Sequence, residues 1–173
     1  MVCLIIFKQQ LIKAAGRINR LKYKDLEIGF SCVKQLAEEN RSENQMVAKP
    51  IESPVLSSVE DQILEAVESA PTASILLAWS GLESVISSTV ARLSISPDPP
   101  SYRSPKHNID ILAKYAGLNS SQEILIDELR MIRNKVAHDG EAAWSISQED
   151  ALSYATTAID LIGFFETFEG NCE

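Results

Sequence analysis

Glu128-Leu129-Arg130-Met131-Ile132-Arg133-Asn134-Lys135-Val136-Ala137-His138-Asp139-Gly140 is the stretch from which the fold is best read. At about 100° per residue, Leu125, Leu129, Ile132 and Val136 fall in one narrow arc, the apolar stripe that a helix buries. Arg130, Arg133, Asn134, Ala137 and His138 fall in the adjoining arc. The stretch therefore predicts a helix with a core face and a polar rim near its C-terminal end. The chain holds two histidines, His107 and His138, and one of them ends this helix.

The surrounding punctuation is helical as well. Ser57-x-x-Glu60 is a capping-box pattern that predicts a helix to about Ala70. Pro71 breaks the line and Thr72 can start the next helix, where Ile75, Trp79, Leu82, Ile86, Val90 and Leu93 recur at three- and four-residue spacing. Residues 94–102, with Pro97, Pro99 and Pro100, read as a loop. Ser104-Pro105 fits an N-cap followed by proline at the first helical position, and Gly117 closes the helix that carries Ile109, Leu112 and Ala113. Ser120-x-x-Glu123 predicts the cap of the helix that carries Arg133 and His138, with Gly140 as its stop. The last helix opens at Ser147, with Glu149 and Asp150 in the first turn where the macrodipole favours acids; it sets Ala151, Ala155, Ala158, Ile162 and Phe165 on one side. About five helices on short connections make an all-α, antiparallel, up-and-down bundle over residues 57–173.

Residues 1–56 read as an appendage. Residues 2–16 can form a short amphipathic helix, with Leu4, Ile5, Leu11, Ile12 and Ala15 against Lys8 and Lys13. Such a segment can lie on a membrane surface, or pack on the body or on a second copy. Leu21-Lys22-Tyr23 and Leu26-Glu27-Ile28-Gly29-Phe30 alternate in polarity, which predicts a small hairpin turning at Lys24-Asp25. Residues 31–40 read as a short helix and 41–55, with Pro50 and Pro54, as a linker.

The formal net charge of −8 is unevenly divided. Residues 1–50 hold nine Lys/Arg and five Asp/Glu, a balance of +4, whereas residues 51–173 hold seven and nineteen, a balance of −12. Lys8, Lys13, Arg17, Arg20, Lys22 and Lys24 thus make a basic arm on an acidic body. Affinity for nucleic acid rests largely on phosphate neutralisation, so the body has no broad polyanion-binding surface and any RNA contact must be local. Cys3, Cys32 and Cys172 form neither a CxxC pair nor a Cys/His cluster, which gives no zinc site and points to free thiols in a reducing cytoplasm. The apolar opening from Met1 to Phe7 is far short of the roughly 20 residues of a membrane span and lacks the features of a secretory signal. No Gly-rich phosphate loop or nucleophile elbow is present, so no cofactor is expected.

Arg133-Asn134-Lys135-Val136-Ala137-His138 resembles the R-x4-6-H motif of the HEPN superfamily. Leu76-Leu77-Ala78-Trp79-Ser80-Gly81-Leu82-Glu83-Ser84-Val85-Ile86 looks like that family's long early helix, and the resemblance covers roughly residues 57–169. It implies a metal-independent endoribonuclease working as a homodimer through the motif helix, with Arg133, Asn134 and His138 of two copies lining one cleft. A toxin or anti-phage role, with RNA as substrate and an antitoxin or other protein as partner, is implied by the family alone. A second reading is a non-catalytic HEPN-like module that binds a nucleotide, RNA or a protein.

The chemistry fits these residue types. Histidine moves protons near neutral pH, guanidinium holds phosphate bidentately, and an amide orients either. A structural reading stays open: His138 in a last turn is favoured by the macrodipole, and Arg133 can pair with an acid across the bundle. Arg130 lies three residues from Asp127, a spacing typical of a surface pair. Glu83 can orient Arg130 or Arg133 as a structural salt bridge. Trp79 reads as core, Gly81 as a close helix contact and His107 as exposed.

Overall fold

The computed structural model describes residues 26–42, 54–95, 104–140 and 146–170, and the side chains from residue 59 onward within the second of these segments. The described residues form six long helices and no strand: α1 (26–42), α2 (Pro54–Ser69), α3 (Pro71–Arg92), α4 (Pro105–Tyr115), α5 (Ser120–His138) and α6 (Gln148–Thr167). The described residues thus form an all-helical bundle.

Among the helices from Pro54 onward, the α3–α6 seam is the most extensive contact. Ile75, Ala78, Trp79, Leu82, Ile86 and Val90 of α3 are all buried, as the periodicity predicts, and so are Ala151, Ala155, Ala158, Ile162 and Phe165 of α6. Small residues let the two backbones approach: a Cβ on Gly81 would sit 3.2 Å from Ile162 Cδ1. At the far end, Arg92 Nη2 donates to the carbonyls of Phe165 (3.0 Å) and Phe168 (2.8 Å), and Thr89 Oγ1 donates to Phe165 at 3.2 Å. These bonds satisfy carbonyls that the end of α6 would leave without helical partners. Among the described residues α3 is the one helix long and apolar enough to cross a membrane, with mean hydropathy 1.3 over its most apolar window. Its apolar stripe is turned into the core instead.

Helix α5 buries Leu125, Ile126, Leu129, Ile132 and Val136. It runs opposite to α6, to which it is tied by Tyr154 Oη donating to the Leu129 carbonyl at 3.0 Å.

Several local expectations need correction. Residues 26–30, the second arm of the expected hairpin, are helical, and the first arm lies outside the described residues. Leu26, Phe30 and Val33 belong to the same apolar core as α3, α5 and α6. Thus the basic arm from residue 26 onward packs as part of the bundle. Lys34 Nζ meets Glu149 (3.2 Å) and Asp150 (3.4 Å), Asn40 Nδ2 donates to Ser121 Oγ (3.0 Å), and Arg41 pairs with Asp160. A Cβ on Gly29 would lie 3.3 Å from Ile132 Cγ1. From Gly29 beside Ile132 to Asn40 beside Ser121, α1 runs antiparallel to α5.

Helix boundaries move by a few residues. Helix α2 begins at Pro54 rather than Ser57. Helix α3 begins at Pro71, which takes the first helical position where its missing N–H costs nothing, behind Ala70, which makes no side-chain cap. Helix α5 is capped by Asn119, not Ser120: Asn119 Oδ1 accepts from Gln122 N at 2.8 Å and Gln122 Oε1 accepts from Asn119 N at 3.3 Å, a complete capping box. It ends at His138 with Asp139 as an extended C-cap, so Gly140 is not its stop. The expected caps Ser104 and Ser147 hold, accepting from His107 N (3.2 Å) and Asp150 N (3.0 Å). Gly117 closes α4 at φ 75°, a left-handed conformation that suits glycine.

Asn119→Ala should cost about 1 kcal/mol, whereas Ser120→Ala should change stability by no more than a few tenths; the reverse order of urea midpoints would return the cap to Ser120. Leu129→Ala, in the buried stripe, should cost about 2–5 kcal/mol.

Candidate functional site

Helix α5 carries two surfaces. The inner one is the buried stripe. On the outer one, Ile124 and Met131 are 51% and 52% exposed, and His138 continues the same seven-residue spacing. The outer surface is divided electrostatically. Glu123, Asp127 and Glu128 lie in the first half of the helix, whereas Arg130, Arg133, Lys135 and His138 lie in the second. The macrodipole favours this order, with acids early and bases late.

Arg133 lies between the two surfaces and is half-buried. Its Nη1 donates to Asn134 Oδ1 at 3.0 Å, so the structure brings these two expected site residues together. Its Nε is fully buried and has no hydrogen-bond partner. Arg133 is in none of the ion pairs among the described residues. A half-buried guanidinium with no carboxylate partner among the described residues is unusual, since buried charges are normally paired. His138 is exposed at the last position of α5.

The supporting residues are otherwise engaged. Arg130 pairs with Asp127 on its own helix, with Nε and Nη2 at 2.8 Å and 2.7 Å from Oδ1. Glu83 Oε2 accepts the indole N–H of buried Trp79 at 3.0 Å, so this carboxylate serves its own helix rather than Arg130 or Arg133. His107 is exposed, as expected.

One neighbour of Arg133 was not legible in the sequence. Tyr154 of α6 is completely buried, and its hydroxyl bonds the Leu129 carbonyl. This carbonyl lies one turn before Arg133, and long helical side chains lean over the preceding turn. Burial pushes the Tyr154 hydroxyl well above the ordinary tyrosine range, against an opposing pull from the Arg133 charge. A tyrosine buried among alanines needs a partner for its hydroxyl. That need was the available signal, but it does not name Leu129.

Two surface pockets lie nearby. An apolar one of about 580 Å³ is lined by Ser69 to Ala73, Leu76, Gly140 and Ile146, beside the end of α5. The other, about 290 Å³, lies between α4 and the first half of α5, and Asp110, Glu123, Asp127 and Glu128 surround it. Among the described residues no group of three or more His, Cys, Asp or Glu is placed to hold a metal ion. Cys32 is a free thiol, raised in pKa mainly by burial and then by Glu128 and Glu39. Cys3 and Cys172 lie outside the described residues. No family model, curated protein or solved structure matches this chain.

Tyr154→Phe leaves the Leu129 carbonyl without its side-chain donor and should cost about 1–2 kcal/mol in urea unfolding. Because folding raises the Tyr154 pKa, its contribution to stability is complete below about pH 10, the unfolded value, and is lost as pH rises above it. The wild-type protein should therefore lose stability between roughly pH 10 and 12 more steeply than Tyr154→Phe. Equal slopes would show that the hydroxyl ionises as freely in the folded protein as in the unfolded one.

Proposed function

We propose that this protein is a HEPN-like, metal-independent endoribonuclease that acts as a homodimer in the cytoplasm. The observation that supports it most is Arg133, a half-buried guanidinium outside every described ion pair, bonded to Asn134 and followed by exposed His138 at the end of the same helix.

In this reading the 2′-hydroxyl of the RNA attacks the adjacent phosphorus. The P–O bond to the 5′-oxygen breaks, leaving a 2′,3′-cyclic phosphate and a 5′-hydroxyl end. His138 accepts the proton of the attacking hydroxyl or supplies one to the departing oxygen. Arg133 stabilises the charge that builds on the phosphoryl oxygens, and Asn134 holds the guanidinium in place. One histidine cannot serve both oxygens at once, so a second copy supplies the other. The outer surface of α5 suits this pairing. A two-fold axis near Met131 sets the acidic first half of one helix against the basic second half of its partner and covers Ile124 and Met131, with Asn134 and His138 on the same side of the helix. A self-complementary surface of this kind is what a two-fold interface requires.

The balance of −12 over residues 51–173 favours a second reading, a non-catalytic module that binds a nucleotide, an RNA end or a protein. The two separate in one assay. Purified protein is incubated with mixed RNA in EDTA, beside Arg133→Ala and His138→Ala. The ribonuclease should leave cyclic-phosphate ends, and each substitution should lower the rate at least about 10²-fold. Retained RNA binding with no cleavage by any form would establish the module instead. Met131→Glu should yield folded monomers by sedimentation and abolish cleavage; an active monomer would sink the shared cleft.

A further inference from the structure

Tyr154 of α6 is fully buried, and the proposed reaction gives it no part. A phenylalanine would fill nearly the same space without the cost of burying a hydroxyl. That cost is offset by the bond to the Leu129 carbonyl at 3.0 Å, yet this acceptor is already served. In an α-helix the carbonyl of residue i−4 takes the N–H of residue i, so within α5 the Leu129 carbonyl takes the backbone N–H of Arg133. A carbonyl oxygen has two lone pairs, and the Tyr154 proton uses the second. The phenol therefore grips, from inside the bundle, the hydrogen-bonded turn that carries Arg133.

The Arg133 side chain is held at its outer end, where Nη1 donates to Asn134 Oδ1 at 3.0 Å. Its stem leans over the turn before it, as long helical side chains do, and Nε is buried there without a partner. The Arg133 charge acts on the Tyr154 hydroxyl, easing an ionisation that burial opposes. No carboxylate in the described ion pairs fixes Arg133, so its aim depends on Asn134 and on the turn beneath it. We propose that Tyr154 is a positioning residue for Arg133. By fixing the turn from Leu129 to Arg133 against α6, it fixes where the guanidinium meets the phosphoryl oxygens. Its effect on rate rests on the ribonuclease reading; its placing of the guanidinium does not.

The test compares Tyr154→Phe with Thr89→Val in the full chain. Thr89 makes the same kind of bond, from a hydroxyl to the Phe165 carbonyl at 3.2 Å, but at the other end of α6. In RNA cleavage Tyr154→Phe should lower kcat about 10-fold, as a small misplacement of a reacting group does, with KM unchanged. Thr89→Val should leave both at their wild-type values. In the Arg133→Ala background, Tyr154→Phe should lower the residual rate no further. Equal losses in the two single variants, or a full loss in the Arg133→Ala background, would overturn the proposal, since Tyr154 would then serve stability alone. If the wild-type protein cleaves no RNA, the ribonuclease reading fails, and the positioning is decided by the Arg133 Nε–H resonance of isotope-labelled protein, assigned by its loss in Arg133→Lys. Tyr154→Phe should move that resonance and Thr89→Val should not; a resonance indifferent to Tyr154→Phe would overturn the placing of the guanidinium.

Discussion

The seam between α3 and α6 is the constraint on which the rest of this structure depends. The inner face of α6 is built largely from alanine, with Ala151, Ala155 and Ala158 all fully buried. Gly81 on α3 removes a further side chain where Ile162 comes close. Two helices that approach so closely exclude water along most of their length, and the gain is roughly proportional to the apolar area covered. Once α6 is placed, α5 follows, because Tyr154 is the large side chain among those alanines and its hydroxyl must find a partner inside the core. It finds the Leu129 carbonyl. The position of Arg133, one turn later, is therefore set by a core contact made on its neighbour.

That dependence explains which parts were legible in the sequence. The stripes of α3, α5 and α6 were, because each repeats over three turns or more and a long period is hard to imitate by chance. The segment from Leu26 to Phe30 was misread because five residues cannot separate the two periods. Leu26, Ile28 and Phe30 alternate as in a strand, but Leu26, Phe30, Val33 and Ala37 also fit a helix, and all four are buried while Ile28 is 57% exposed. Extending the window by two turns would have decided it. Asn119 and Ser120 are both good caps, and their order was settled by Gln122, which completes the box with Asn119. The polar rim of α5 was legible as an arc. What each member does there was not, because Glu83, Arg130 and Arg133 had several partners of suitable charge and only packing chooses among them.

The choice has chemical consequences. Asp127 pairs with Arg130 and Glu83 accepts from Trp79, so neither carboxylate is paired with Arg133. The positive charge that remains is partly shielded from water, and there a given anion is attracted more strongly than it would be at an open surface. The cost of holding that charge is carried by the bundle. The Tyr154 hydroxyl adjoins it, and the buried Nε remains without a partner. Strain of this sort persists only where the surrounding packing is strong enough to hold it, and α5 is enclosed by α1, α3, α4 and α6.

A local positive site on an acidic body also limits what such a protein can hold. The bases of α5 lie together in its second half, and with a balance of −12, residues 51–173 as a whole repel a long polyanion. Its affinity cannot come from many phosphate contacts, the usual source for nucleic-acid proteins. Selection then falls on the few groups close to Arg133, and geometry counts for more than charge. A short or exposed anionic group can approach the end of α5 without crossing the acidic surface, whereas a duplex cannot lie along it. On the proposed reading, this charge distribution favours an RNA presented end-on or in a tight loop over a duplex.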